Sequence, residues 1–475
     1  MRIATFDFGT TAIKFVVLDE KANILYNNKL DIDTIIKDDF IEQSPNQWLE
    51  TFKNLIESYK DKNQLTHLIC SGQMQDLIFI GKNNTPLYNA ILYNDQRGDN
   101  YLDKIDKEIE EKTTIHMNGS IPLSKMYWMK ENEPKVLEDT KNILFSPKDF
   151  ITLYLTNIAV ADTTTLSTTG MMDIYKKEYI DTIEVNKEIL PKILNCGDIV
   201  NTIDKNIALE LGLNPKLKIF AGSGDAGATT LASGIIKDNE LNINLGTSGW
   251  IANISKSPNK EAFNLCAINE GYYINVIPVL NASSVHKWVT NLIFKDNDNK
   301  YDLMDKLLDE NINYDTDLLT LPYLVGERYP VADNKIKGCY FGLNPNTSLV
   351  DLAISALEGV AYSLKQGIVE LGVTPKTISL IGGGALTKAW NQIFANIFEV
   401  PITVYSDSEY LPSISLTSSV LIHEGFINSY EEFIRELLSN QDKKVYLPQE
   451  DRVDKYRDKF TKFKKLYPSL KVINE

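Results

Sequence analysis

One device occurs twice in this chain, half its length apart, and it constrains the fold more than any other feature. Residues 3–8 form a β-rich apolar run interrupted only by Thr5 and Asp7; Gly9-Thr10-Thr11 follows, and residues 13–18 resume the run. Residues 241–245, Gly246-Thr247-Ser248-Gly249 and residues 250–254 repeat the arrangement. Two β-rich runs about a short glycine turn predict a hairpin. The lack of strict polar alternation predicts a sheet covered on both faces. One such hairpin says little, because short Gly turns are common. Two, spaced by half of 475 residues, predict a duplicated α/β architecture with one turn of the same kind in each half. At roughly 100–200 residues per domain, the length accommodates two or three domains. A boundary is expected close after Gly234, giving domains at 1–234 and 235–475.

Between the hairpins, short strands lead into polar loops. Residues 65–70 precede Gln73-Met74-Gln75-Asp76, and residues 90–93 precede Asn94-Asp95-Gln96-Arg97. Residues 218–221 lead into Gly222-Ser223-Gly224-Asp225 and a small-residue helix over 226–233. In the second half, apolar residues from Val350 to Leu371 recur at helical spacing, with Ser348 and Asp351 as a capping pair and Gly372 and Pro375 beyond the end. A strand over 377–381, the turn Gly382-Gly383-Gly384-Ala385 and a helix over 386–398 follow. Residues 452–466 predict an amphipathic helix stopped by Pro468.

Charge narrows the function classes. There are 49 basic and 64 acidic residues, a net −15, and the one Lys-rich stretch near the C-terminus alternates with acids. Nucleic-acid binders carry a basic excess or stripe, so no nucleic-acid partner is expected. An anionic membrane surface is disfavoured too. Cys70, Cys196, Cys266 and Cys339 are far apart and form no C-x-x-C pair, which argues against structural zinc and a disulfide framework. With no signal-like N-terminus and no apolar run near the ~18 residues of a span, a cytoplasmic protein without membrane partners is expected.

Several residues match the needs of phosphoryl transfer, which must hold phosphates, hold a metal, orient a nucleophile and remove a proton. Gly9-Thr10-Thr11 and Gly246-Thr247-Ser248 are candidate phosphate cradles: tight turns present backbone N–H groups, and the hydroxyls add donors. Asp7 lies inside an apolar strand beside the first turn, where a carboxylate is costly unless paired or metal-bound. A Mg²⁺ beside phosphates would satisfy it, with Lys14 balancing charge; a structural hydrogen bond to the turn would serve equally. Asp225 is the candidate general base, although Asp is also a preferred helix N-cap. The Gly382–Ala385 run joins a strand to a helix where a nucleotide could lie, without the G-x-G-x-x-G spacing of a dinucleotide fold. The loops around Gln75 and Asp95 offer the donors and acceptors that a sugar demands, as ordinary polar loops also would. His67, His116, His286 and His423 are isolated and carry no assigned role.

Together these segments resemble the FGGY family of carbohydrate kinases. The resemblance spans the chain: DFGTT at the start, EQSP at Glu42, GQM at Gly72–Met74, NDQR at Asn94–Arg97, SPKDF at Ser146–Phe150 and AGSGDAG at Ala221–Gly227. It continues through LGTSG at Leu245–Gly249, LPYLVGERYP at Leu321–Pro330, the EGVAYSL helix and IGGGALTKAWNQIFANIFEVPI. Within the family the chain is most similar to the xylulokinase branch. The resemblance implies two actin-like (ribonuclease H-like) ATPase domains with a cleft between them. It also implies transfer of the γ-phosphoryl of ATP, with Mg²⁺, to a hydroxyl of a small sugar, most simply a ketopentose such as D-xylulose. A homodimer is the assembly considered.

Carried over by position, Asp225 becomes the catalytic base and a metal-side residue with Asp7. Gly9, Thr10, Thr11, Lys14, Gly246, Thr247 and Ser248 meet phosphates. Gly383, Gly384 and Asn391 line the nucleotide site, and Gln73, Met74, Gln75 and Asp95 face the sugar. Two departures stand out. The family pattern GQMHG reads here Gly72-Gln73-Met74-Gln75-Asp76, so Gln75 and Asp76 replace His and Gly. The helix start after the last strand, usually Gly-Ala-Ala, reads EYLPSISLTSSV from Glu409, with Pro412 and no Gly. The acceptor therefore stays open among ketoses, gluconate and polyols, and a non-catalytic sugar sensor is the reading from another class.

Overall fold

Ile3, Ala4, Phe6 and Phe8 have no exposed surface, which is why the first run of the chain lacks polar alternation. In the computed structural model, which describes residues 1–295, 297–312, 314–405 and 409–474, they lie on strand β1 (Ile3–Phe8). The 9–11 turn joins β1 to antiparallel β2 (Ala12–Leu18), with Asp7 opposite Lys14. Phe6 stacks on Phe15 at 4.4 Å, and Phe52 of the helix Pro45–Ser58 closes on Phe6 at 4.7 Å. Strands β3 (Ile24–Asp31), β4 (His67–Gly72), β5 (Ile199–Thr202) and β6 (Lys218–Phe220) complete a sheet ordered β5-β6-β4-β1-β2-β3. In it β4 runs parallel to both β1 and β6, and β5 is antiparallel to β6. Ser223–Gly224 also pairs, parallel, with Ser71 and Gly72 at the end of β4.

The second hairpin is built in the same way. β7 (Leu241–Leu245) and β8 (Gly249–Ser255) are antiparallel, with Asn244 opposite Trp250. With β9 (Tyr273–Val279), β10 (Ile378–Ile381), β11 (Ile402–Tyr405) and β12 (Lys443–Tyr446), the order is β9-β8-β7-β10-β11-β12. β10 is parallel to β7 and β11, and β12 is antiparallel to β11. The first sheet follows the same path as β3-β2-β1-β4-β6-β5, so the duplication expected from two hairpins is present in the strand topology. The predicted central helix runs Leu349–Glu370 with its capping box formed: Asp351 N–H donates to Ser348 Oγ at 3.2 Å, and Ser348 N–H to Asp351 Oδ2 at 2.8 Å. All four cysteines are free. No helix among the described residues is long and apolar enough to cross a membrane.

Two compact units emerge. The first is Met1–Ile236, Lys256–Ile274 and Glu409–Asn440; the second is Lys237–Ser255, Asn275–Ser408 and Gln441–Glu475. Hydrogen bonds explain the threading of residues 256–274 into the first unit. The Cys266 N–H donates to Ser167 Oγ at 2.9 Å, and Thr164 Oγ1 donates to the Cys266 carbonyl at 2.8 Å. The helix Leu411–His423 also belongs there, where Ser415 Oγ donates to the Ala228 carbonyl. Its start lacks the family glycines, yet Pro412 sits in the first turn, where proline is tolerated. Ser413, Ser415, Ser418 and Ser419 are buried and give the close approach that small residues supply.

Two expectations are corrected at element ends. Pro468 does not stop the C-terminal helices: Glu450–Phe463 ends first, and Pro468 lies in the opening turn of a second helix, Leu466–Asn474. The Gly382–Ala385 run does not lead straight into a helix. Gly383–Leu386 forms its own 3₁₀ turn, and the helix begins at Lys388.

Candidate active site

Asp7, the Gln73–Gln75 loop and Asp225 sit at the carboxyl ends of parallel strands, where open α/β sheets take their ligands. Asp7, near the end of β1, accepts from Ser71 Oγ at 2.9 Å, and Lys14 Nζ lies 3.9 Å from its other oxygen. Gly9, Thr10 and Thr11 follow, with the Gly9 N–H donating to the Ala12 carbonyl at 3.1 Å. Asp225 opens the helix Asp225–Ala232 directly after the Ser223–Gly224 bridge to β4. It is not the N-cap: Gly224 holds that position, and the Asp225 carboxylate accepts only from the neighbouring Ala226 N–H, at 2.7 Å. Burial pushes the Asp225 carboxyl up to about 7; the Asp7 charge pushes the same way, and the Ala226 N–H opposes both. A carboxylate held near neutrality by its surroundings, with its oxygens largely free, has the properties a general base needs.

The loop at the end of β4 carries Gln73, Met74 and Gln75. Gln73 is buried; its Nε2 donates to Gln43 Oε1 at 3.1 Å, and its backbone N–H to the Phe8 carbonyl at 2.9 Å. Met74 packs over Gly224, where an added Cβ would come within 2.0 Å of its sulfur. The 73–75 loop and the turn ahead of Asp225 thus meet at Gly224, where any larger residue would have to displace the Met74 side chain. Gln75 has a left-handed backbone, φ 64°, and its Nε2 reaches the Thr168 carbonyl at 3.4 Å.

Asp95 lies in the next loop and is spoken for. It accepts from the Ile41 N–H at 2.7 Å and from the backbone N–H, Nε and Nη2 of Arg97 at 3.0, 2.9 and 2.7 Å. Burial alone would raise its pKa, but these donors hold its carboxyl below the usual carboxylate range. Arg97 also pairs with Glu42 at 2.7 Å and packs against both the Phe40 and Trp128 rings, 4.1 and 4.8 Å from their centroids.

In the second unit the two glycine turns adjoin. Gly246-Thr247-Ser248 follows β7 and the Gly382–Ala385 run follows its parallel neighbour β10. An added Cβ at Gly382 would meet Asn244 Oδ1 and the Leu245 backbone at 2.8 Å; one at Gly384 would meet Ser283 Oγ at 2.6 Å. At Gly383 it would meet nothing within 4 Å, so this face of the turn is open. Asn391 Nδ2 caps the turn through the Ala385 carbonyl at 2.8 Å, and its buried Oδ1 has no partner.

Sequence reasoning passed over several residues that hold these groups. Gln43 donates to the Thr10 carbonyl at 2.7 Å and accepts from Gln73, so the EQSP motif links the 9–11 turn to the 73–76 loop. Lys148, fully buried, lies 2.5 Å from Asp149 and 2.9 Å from Asp162, and Asp162 accepts from the Gly224 N–H at 3.4 Å. That network fixes the turn ahead of Asp225. Ser283 and Ser284 donate their N–H groups to the Gly246 and Thr247 carbonyls, both at 3.0 Å. Charged residues quoted inside an apolar motif, such as Lys148 and Asp149, were the available signal, since lysine is almost never fully buried without a partner.

The donor set suits a magnesium nucleotide. Among the described residues no three His, Cys, Asp or Glu side chains cluster to hold a metal alone. Mg²⁺ is usually held by one or two carboxylates plus substrate phosphates, which is what Asp7 and Asp225 beside a Gly-Thr turn would provide.

Comparison with known proteins bears on the family and the fold. Residues 2–232 match the N-terminal domain model of the FGGY family of carbohydrate kinases, and residues 241–410 match its C-terminal domain model. The xylulose kinase of Staphylococcus xylosus is 26% identical over 484 residues, covering 97% of this chain and 98% of the relative. The gluconokinase of Bacillus subtilis is also 26% identical, covering 84% of this chain and 83% of the relative. The crystal structure of a ligand-bound xylulose kinase from Lactobacillus acidophilus superposes with a TM-score of 0.88 at 24% identity, covering 99% of this chain and 98% of that one. The two α/β domains, their glycine turns and the full-length match place this chain in the FGGY family of carbohydrate kinases.

Proposed function

We propose that the chain transfers the γ-phosphoryl of ATP to a hydroxyl of a ketopentose such as D-xylulose, giving the 5-phosphate. The observation that carries the reading is Asp225: a carboxylate held by a neighbouring backbone N–H and by no side chain among the described residues, raised toward neutrality, at a helix start beside both Asp7 and the Met74 loop. The ketopentose preference is supported by the full-length xylulose kinase relatives.

On this reading the first half, to about residue 234, carries the acceptor loops and the base, and residues 235–475 carry the nucleotide turns. Asp225 accepts the proton of the attacking hydroxyl as the oxygen meets phosphorus. Backbone N–H groups of the 9–11 and 246–248 turns, the Thr10, Thr11, Thr247 and Ser248 hydroxyls and the Lys14 ammonium stabilise charge on the transferring group. Gly383, Gly384 and Asn391 seat the nucleotide, and Gln73, Met74, Gln75 and Asp95 shape the acceptor side. When bound, Mg²⁺ neutralises phosphate charge, with Asp7 and Asp225 as the carboxylates that hold it.

A second reading, gluconate as acceptor, is favoured by the gluconokinase relative of equal identity. ADP release with ATP, Mg²⁺ and a panel of ketoses, polyols and aldonates separates the two. Turnover highest on D-xylulose supports the first, and turnover on gluconate alone replaces it with the second. Sugar binding without ADP release from any acceptor would sink the kinase mechanism.

A further inference from the structure

Lys125, on the helix Pro122–Asn132, has no exposed surface, yet it makes no contact ion pair. Its ammonium donates instead to two backbone carbonyls, Leu92 at 2.5 Å and Gln75 at 3.3 Å. These belong to the two polar loops assigned to the acceptor. The Leu92 carbonyl also accepts the Asp95 N–H at 3.1 Å and so anchors the turn that carries Asp95. The Gln75 carbonyl belongs to the residue with φ 64°, a left-handed backbone that a non-glycine residue keeps only when its surroundings over-determine it.

Asp76, the next residue, is fully buried, and neither of its carboxylate oxygens has a hydrogen-bond partner. Burial pushes the Asp76 carboxyl well above the usual carboxylate range, and the Lys125 charge, Gln73 and the Tyr93 N–H oppose that shift. Burial pushes the Lys125 ammonium down to about 7; Asp76 and Asp95 favour its charge against that, and Arg97 opposes it. Asp76 is therefore the electrostatic partner of a lysine that clamps one loop to the other.

We propose that Lys125 is a positioning residue for the acceptor. It ties the strained 73–76 loop to the 92–97 loop, with Asp76 as its electrostatic partner, and thereby sets acceptor affinity. The proposal rests on the assignment of these loops to the acceptor. It explains how Asp76 is accommodated where the family pattern has glycine: the added carboxylate lies within the field of a buried lysine.

The test compares wild type, Lys125→Met, Asp76→Asn and the double variant by ADP release, with D-xylulose and D-gluconate as probes and ATP titrated separately. Lys125→Met should raise the acceptor KM about tenfold or more, as displaced positioning groups do, while the ATP KM stays within about twofold. Asp76→Asn should raise the acceptor KM in the same direction. The double variant should recover melting temperature lost in Lys125→Met, because no unpartnered buried carboxylate remains, without recovering acceptor KM. Acceptor and ATP KM rising together would show a merely structural lysine and overturn the proposal. If Lys125→Met does not fold, an unchanged acceptor KM in Asp76→Asn overturns it alone. Absence of turnover in the wild type would instead sink the kinase mechanism. Calorimetric dissociation constants for the same two sugars would then carry the same comparison.

Discussion

At the scale of single residues, the structure separates two carboxylates that look alike in the sequence. Asp95 is saturated by Arg97 and the Ile41 N–H, whereas Asp225 keeps its oxygens available. Asp225→Asn should cost ~10²–10⁴-fold in kcat while leaving circular dichroism unchanged, the range general-base removal produces. In wild type, kcat/KM should fall below pH about 7, where burial and Asp7 keep Asp225 protonated. Stability follows the opposite sense. Between its ordinary pKa near 4 and its folded value of about 7, the folded state binds the proton more tightly than the unfolded state. The stabilisation is present at low pH and lost as pH rises through 7. Asp225→Asn abolishes that loss, so the melting temperature of the variant relative to wild type, measured without Mg²⁺, should increase from pH 5 to pH 8. A pH-independent difference would remove Asp225 as the source. The sequence offered Asp225 either as base or as N-cap; the cap is Gly224, and only the backbone geometry of that turn could decide it. Asp95 was legible as a loop carboxylate, but its saturation was not: three donors come from Arg97, two residues on, whose side chain had to fold back on it, and the fourth from Ile41, far away in the chain.

At the scale of elements, the turns at strand ends do the positioning. Gly382 has φ 90° and ψ 172°, a region nearly exclusive to glycine, and its Cβ position is blocked by Asn244 and Leu245. Gly382→Ala should lower stability by about 1–3 kcal/mol, the cost of such strain, read as a lower melting temperature. Gly383 faces open space one residue later. Gly383→Ala should therefore leave the melting temperature unchanged and, on the proposed nucleotide role of this turn, raise the ATP KM. Equal destabilisation by both changes would refute this division of labour. Strand and helix placement was largely legible, because apolar runs and the Ser348–Asp351 capping pair are local signals. Pro468 was misjudged because proline ends a helix only from its interior, and it is equally at home in the first turn of the next one.

At the scale of the whole molecule, the first unit draws on three separate stretches of chain. Leu416, Val420 and Leu421 of the Leu411–His423 helix are almost wholly buried, as are Leu265 and Cys266. A fragment ending at residue 236 lacks all of them. It should bind hydrophobic dye and show no cooperative unfolding, whereas a sharp two-state transition in that fragment would contradict the assignment of 256–274 and 409–440 to this unit. By itself the sequence determined the duplicated α/β plan, the two glycine turns and the family, because these are written in short contiguous patterns of hydrophobicity and glycine. Only the tertiary structure decided which segments complete the first unit, which carboxylate stays free, and that Lys125 and Gln43 link the site loops. Those outcomes depend on burial and on hydrogen bonds between residues distant in the chain, and local periodicity carries no record of either.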